Sequence, residues 1–104
     1  MEKVFETNDT GSFCLEKILT KELGDKCSLY ARVTVPPGVA VPYHRHDGNG
    51  ESYFFLAGEG EYDDNGIKRR VRAGDSTWTP SGSAHGIVNT GDKDLVFMAL
   101  IVND

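Results

Sequence analysis

The sequence predicts an all-β fold of antiparallel strands, packed as two sheets or as one sheet rolled into a barrel. Three observations carry this. Short runs rich in β-branched and aromatic residues alternate with glycine-, asparagine- and aspartate-rich turns along most of the chain. Asn65-Gly66 stands between two such runs, and a type I′ hairpin turn, which needs positive φ at both central residues, favours that dipeptide. No segment sustains the apolar period of a long amphipathic helix.

Taken in order, the chain opens on MEKVFETNDT, which has no apolar stretch of signal-peptide length. LEKILTKEL (15–23), stopped by Gly24, is the best helical candidate; residues 12–19 read alternatively as a strand, with 21–26 as its turn. Strand-like runs follow at 28–35 (SLYARVTV), 39–46 (VAVPYHRH), 52–62 (SYFFLAGEGEY) and 67–73 (IKRRVRA). Three more lie at 76–80 (STWTP), 85–90 (HGIVNT) and 94–102 (DLVFMALIV). Between them stand PPG at 36–38, DGNG at 47–50, DDNG at 63–66 and shorter Gly-containing turns.

A chain of 104 residues suits one domain over residues 1–104, with no linker or internal repeat to divide it. Its net charge of −5 opposes binding to nucleic acid, whose affinity rests on phosphate neutralisation. The cluster Lys68, Arg69, Arg70 and Arg72 reads as a solvated strand beside a turn. The longest apolar run, 95–102, is too short to span a bilayer, so a cytoplasmic protein without a membrane partner is expected. In that reducing setting Cys14 and Cys27 are expected as free, partly buried thiols.

There are three histidines, and two of them fall within three positions. On a strand, residues two apart face the same side with Cα atoms about 6.6 Å apart, so His44 and His46 can lean onto one ion at roughly 2.0–2.1 Å. The DGNG segment lets the chain reverse and return Glu51 to the same interior, and His85 is the one histidine left to complete the set. Taken alone, His-x-His is equally the pattern of two half-buried imidazoles in a polar loop.

The wider pattern is more specific. Gly38, His44, His46, Glu51 and Gly58, followed by Gly74, Pro80, Gly82, His85 and Asn89, stand at the spacings of the two motifs of the cupin superfamily, which residues 38–58 and 74–89 closely resemble. At about one in twenty per position, ten such matches at a given placement have a chance on the order of 10⁻¹³. The resemblance implies an antiparallel six- to eight-stranded β-barrel or jelly roll. It also implies one divalent transition metal per chain, held by His44, His46, Glu51 and His85. A set of three nitrogens and one oxygen suits Mn, Fe, Co, Ni, Cu or Zn. Asn89 reads as a structural hydrogen-bonder, and Pro80 as the end of a strand.

Three neutral imidazoles and one carboxylate leave a divalent ion with net positive charge, which attracts an anionic oxygen ligand such as a small carboxylate. Proteins of this family include decarboxylases, oxygenases, isomerases and sensors, so the leading expectation is a metal-dependent enzyme acting on a small organic acid or polar metabolite. A non-catalytic binding or sensing module and a metal-free barrel with a polar core are the alternatives. By strand alternation Tyr53 and Phe55 share the face of Glu51 and should line the pocket. Trp78 reads as pocket wall or core filler. Tyr30 and Arg32 share a face; if it is interior, Arg32 could clamp a carboxylate, although an arginine exposed on an outer strand face is commoner. Phe54 faces the other way and, with 95–102, offers a homodimer contact.

Overall fold

Alternating side chains and frequent turns fold the chain into ten strands and one turn of 3-10 helix at Lys21–Leu23 in the computed structural model, which describes residues 1–104. The strands are β1 (Glu2–Asn8), β2 (Gly11–Leu19), β3 (Cys27–Val35), β4 (Ala40–Arg45) and β5 (Asn49–Ala57). They continue with β6 (Glu59–Asp64), β7 (Ile67–Arg72), β8 (Ser76–Thr79), β9 (Ala84–Asn89) and β10 (Leu95–Asn103). All pair antiparallel, in a sheet of six ordered β1-β2-β3-β10-β5-β8 and a sheet of four ordered β4-β9-β6-β7. This is the expected all-β jelly roll, with an N-terminal hairpin extending one edge of the larger sheet.

The stretch 15–23 does not form a helix. Phe13, Leu15 and Lys17 face inward while Cys14 and Glu16 face outward, and β2 pairs with β1 on one side and β3 on the other. A nine-residue helix is marginal in isolation, whereas two neighbouring strands satisfy this backbone along most of its length. The tip of the hairpin is tied to the smaller sheet: Asn8 Nδ2 donates to the carbonyl of Ala40 at 2.8 Å, and the Ala40 N–H donates to Thr10 Oγ1 at 2.8 Å. These bonds hold β1 over the space between the sheets.

The Asn65-Gly66 hairpin forms as expected, with φ of 52° and 97°, and joins β6 to β7. The run 52–62 is two strands, because Gly58 at φ 84° turns the chain from the larger sheet into the smaller one. Between the sheets lie Phe13, Val35, Phe55, Val71, Leu95 and Phe97, each 4% exposed or less. Full burial of such a side chain contributes roughly 1.5–3 kcal/mol. This packed end supports the polar end, where the histidines gather. Cys14 and Cys27 are free and half-buried. No helix is long and apolar enough to cross a membrane.

Candidate metal centre

The smaller sheet supplies the histidines. His44 on β4 and His85 on β9 are direct cross-strand partners. His46 lies one residue past the end of β4, yet its N–H donates to the Ser83 carbonyl at 2.9 Å and its carbonyl accepts from the Gly82 N–H at 2.7 Å. The strand pairing therefore continues far enough to fix a third imidazole. Glu51 comes from β5 in the opposite sheet, so the DGNG turn carries the chain across the interior rather than closing a hairpin.

The four side chains converge. The three Nε2 atoms stand 3.1 Å (His44–His46), 3.0 Å (His46–His85) and 3.2 Å (His85–His44) apart. Glu51 Oε1 lies 2.9 Å from Nε2 of His85, 3.0 Å from that of His46 and 3.8 Å from that of His44. His85, Glu51 and His46 are buried, while His44 is half-exposed and opens the site to one side.

Hydrogen bonds at the far ring nitrogens decide what the near ones can do. A carbonyl oxygen only accepts, so the Pro42 carbonyl, 2.7 Å from His44 Nδ1, places the proton on Nδ1. Asn49 Oδ1 does the same for His46 at 2.7 Å. Nδ1 of His85 meets Tyr62 Oη at 2.8 Å and Thr79 Oγ1 at 2.9 Å, and those two hydroxyls are themselves 2.8 Å apart. The neutral imidazoles of His44 and His46 thus turn bare Nε2 lone pairs toward Nε2 of His85 and a carboxylate oxygen. A proton on His85 Nε2 can satisfy only one of these close contacts at a time; a cation bound between the atoms satisfies all of them.

The spacing fits a transition-metal ion. Atoms bound at roughly 2.1 Å from one centre, at right angles or slightly more, stand about 3.0–3.3 Å apart. Electrostatics agree. Burial pushes the Glu51 carboxyl upward, but the adjacent rings of His44, His85 and His46 outweigh it and hold its pKa at about 2. Glu51 in turn raises His44 above 6.5; at 3.8 Å from Oε1 this is an effect of charge rather than of a hydrogen bond. Burial lowers His85 below 6.5, keeping it neutral and able to ligate.

Tyr62 is fully buried and Arg69 lies over its ring at 5.6 Å, so its hydroxyl is held in place beside His85. Outer partners of metal-ligating histidines commonly set affinity by 10- to 100-fold. Tyr62→Phe leaves Thr79 as the sole partner of Nδ1 and is expected to weaken metal binding about tenfold. Chelator competition measures this, and unchanged affinity would show that Thr79 alone orients His85.

A cavity of about 380 Å³ opens above the centre, with His44, His46 and Glu51 at one end and Tyr53, Val41 and Phe97 along its walls. Tyr53 stacks on His85 with centroids 4.8 Å apart. The other expected pocket residues lie elsewhere. Phe55 shares the inward face but sits one step deeper, fully buried in the core. Tyr30 and Arg32 are on the outer face of β3, because Ala31, Val33 and Val35 take the interior positions. Arg32 instead pairs with Glu16 through two hydrogen bonds, at 3.0 and 3.1 Å. Trp78 is neither wall nor core filler: it is 52% exposed on the outer face of β8, seated over Gly50, where an added Cβ would come within 2.5 Å of its ring. Two charged residues that the sequence reading did not place, Glu6 on β1 and Lys17 on β2, line the mouth instead. Asn89 is structural, its amide donating to the Val35 and Lys93 carbonyls at 2.8 Å each.

Two antiparallel sheets enclosing three histidines and a glutamate, a cluster able to hold a metal ion, define a cupin. A family model described as a cupin domain matches residues 31–102, and the chain belongs to that family. It is 43% identical over 93 residues to a Thermotoga maritima protein named "Oxalate-binding protein", covering 88% of this chain and 77% of that one. It superimposes at a TM-score of 0.93, with 39% identity, on a Thermotoga maritima crystal structure described as a predicted oxalate decarboxylase, covering 98% of this chain and 92% of the other. The cupin domain of Schizosaccharomyces pombe Cnp3 shares the fold at a TM-score of 0.82 and 17% identity, covering 97% of this chain and 69% of that chain.

Proposed function

We propose that this chain is a cupin that binds one divalent transition metal through His44, His46, Glu51 and His85 and acts as an enzyme on a small organic acid. The convergence of imidazole lone pairs and an ionised carboxylate on the wall of a cavity carries the reading. The relative named "Oxalate-binding protein" supports a small carboxylate as the ligand class. A metal bound here supplies Lewis-acid polarisation of a carboxylate or carbonyl oxygen. Decarboxylation, oxygenation and isomerisation all begin from such a complex.

The chain's own residues do the rest. Glu51 stays ionised and balances the metal's charge. Burial raises the Tyr53 hydroxyl well above 10, and Glu51 adds to this, so Tyr53 keeps its proton and serves as a hydrogen-bond donor rather than a base. The apolar walls exclude water from the bound acid. A non-catalytic binding protein is the second reading, favoured by the lack of any base inside the cavity beyond the four clustered residues and the rim residue Glu6.

Calorimetry with oxalate before and after chelation, followed by product analysis in air and under nitrogen, tests the proposal. Binding that requires metal, with turnover, is expected. Metal-dependent binding without turnover of any small acid would favour the second reading, and carboxylate binding that survives chelation would contradict both.

The partner reading extends to a homodimer. Phe54, Leu56 and Trp78 are about half-exposed on the outer face of the larger sheet, beside Met98 of β10. Sedimentation equilibrium showing a monomer would contradict it. Nucleic acid is disfavoured as a partner by the net charge of −5.

A further inference from the structure

The cavity is larger than the smallest acids need. At about 30 Å³ per water-sized volume, 380 Å³ holds roughly a dozen such volumes, while oxalate has only six non-hydrogen atoms. The space beyond the metal cluster is bounded mainly by Val4, Leu15, Val33, Phe97 and Ala99. Its far side carries a single permanent cation, Lys17.

Strand register shows how Lys17 comes to be there. Lys17, Ala31, Ala99 and Tyr53 stand in one row across β2, β3, β10 and β5. The rows on either side carry larger residues: Leu15, Val33, Phe97 and Phe55 on one, Leu29, Ile101 and Glu51 on the other. Of the two small residues in that row, Ala99 lines the cavity between Tyr53 and Lys17, with Leu29, Val33, Phe97 and Ile101 around it, while Ala31 is fully buried. The cavity is thus bordered by Tyr53 and by the lysine at the two ends of the row. Three interstrand steps put those ends about 14 Å apart between the backbones, a span that the two long side chains shorten from either end.

Nothing nearer claims the ammonium group. Its contact with Glu2 is long, at 3.9 Å, and both side chains are partly solvent-exposed. Such a pair is worth little and is readily exchanged for a ligand.

We propose that Lys17 determines ligand length: the site takes an elongated organic dianion, with one carboxylate at the metal cluster, an apolar middle against the Leu15, Val33 and Phe97 walls of the cavity, and a second carboxylate at Lys17. The inference rests on the reading of the cluster as a metal-bound carboxylate site and adds the second anchor.

Calorimetry on metal-loaded wild-type protein and on Lys17→Met, with straight-chain dicarboxylates from oxalate to adipate, tests this. The wild-type protein should bind a four- to six-carbon diacid more tightly than oxalate. Lys17→Met should lose that preference by about five- to tenfold, with its metal content unchanged and a smaller loss of affinity for oxalate than for the longer diacids. A series flat with length, or a preference that survives Lys17→Met, would overturn the role of Lys17 while leaving the metal site standing. Failure of every diacid to bind metal-loaded wild-type protein would overturn both. Unchanged metal content and unfolding midpoint in Lys17→Met distinguish a lost anchor from a damaged fold.

Discussion

His46→Ala protein is expected to bind its divalent metal at least about a hundredfold more weakly than the wild type, exceeding the 10- to 100-fold that outer partners typically control. The substitution removes one of four converging donors and leaves the others in place. The backbone at position 46 is held by Ser83 and Gly82 through main-chain bonds that alanine keeps. The metal-free protein loses the hydrogen bond to Asn49 but also a lone pair that faces two others, so its stability should move by only about 1–2 kcal/mol. Metal at a hundredfold excess over its dissociation constant stabilises a folded protein by about 2.7 kcal/mol, and that increment should fall to about 0.4 kcal/mol or less in the variant. Urea unfolding of both proteins, with and without metal, reads the two effects separately. A metal-induced shift of equal size in both would mean that the ion binds elsewhere.

Gly58→Ala is expected to be among the most damaging single changes in the chain, costing on the order of 3–5 kcal/mol. Gly58 is the point at which the chain leaves the larger sheet for the smaller, at φ 84°. A Cβ there would lie 2.5 Å from the Asp94 carbonyl oxygen and 2.9 Å from the Leu95 Cα, both backbone atoms at the start of β10. Neither can rotate away. Leu95 and Phe97 follow directly in the core, so relief by backbone movement would unpack them. Gly66→Ala provides the control. Its φ of 97° is as unfavourable for alanine, yet nothing lies within 4 Å of the added carbon, so only conformational strain of about 1–2 kcal/mol should appear. Equal unfolding midpoints for the two variants would refute the close-contact argument.

Strand alternation made much of this architecture legible in advance, and the two histidine-bearing motifs made the cluster legible. Chemistry at a fixed spacing survives translation into space when each residue is tied to a strand end or a turn, as His44, His46, Glu51 and His85 are. The N-terminal hairpin was harder. In β1 the apolar residues Val4 and Phe5 are adjacent and surrounded by charge, so no alternation shows, and β2 mixes apolar residues in a way that also fits a short helix.

Parity was the other obstacle. In β3 a one-residue slip exchanges Tyr30 and Arg32 for Ala31 and Val33 on the inner face, and the arginine's chemistry left the parity open. The spacing of Ala31, Val33 and Val35 was the signal that could have settled it. Trp78 shows a related limit: its large apolar ring suggests burial, but its strand presents Thr77 and Thr79 to the interior. The charged rim was hidden for a further reason. Glu6 and Lys17 lie on the two strands that local pattern describes least well, and an inward-facing lysine contradicts the usual pattern of a buried face.

Anomalous scattering recorded across the absorption edge of the metal that copurifies with the protein tests the central claim most directly. One peak per chain is expected, about 2.0–2.3 Å from Nε2 of His44, His46 and His85 and from a carboxylate oxygen of Glu51. Protein purified without stoichiometric metal and unable to take it up, or a peak at any other set of side chains, would contradict the account.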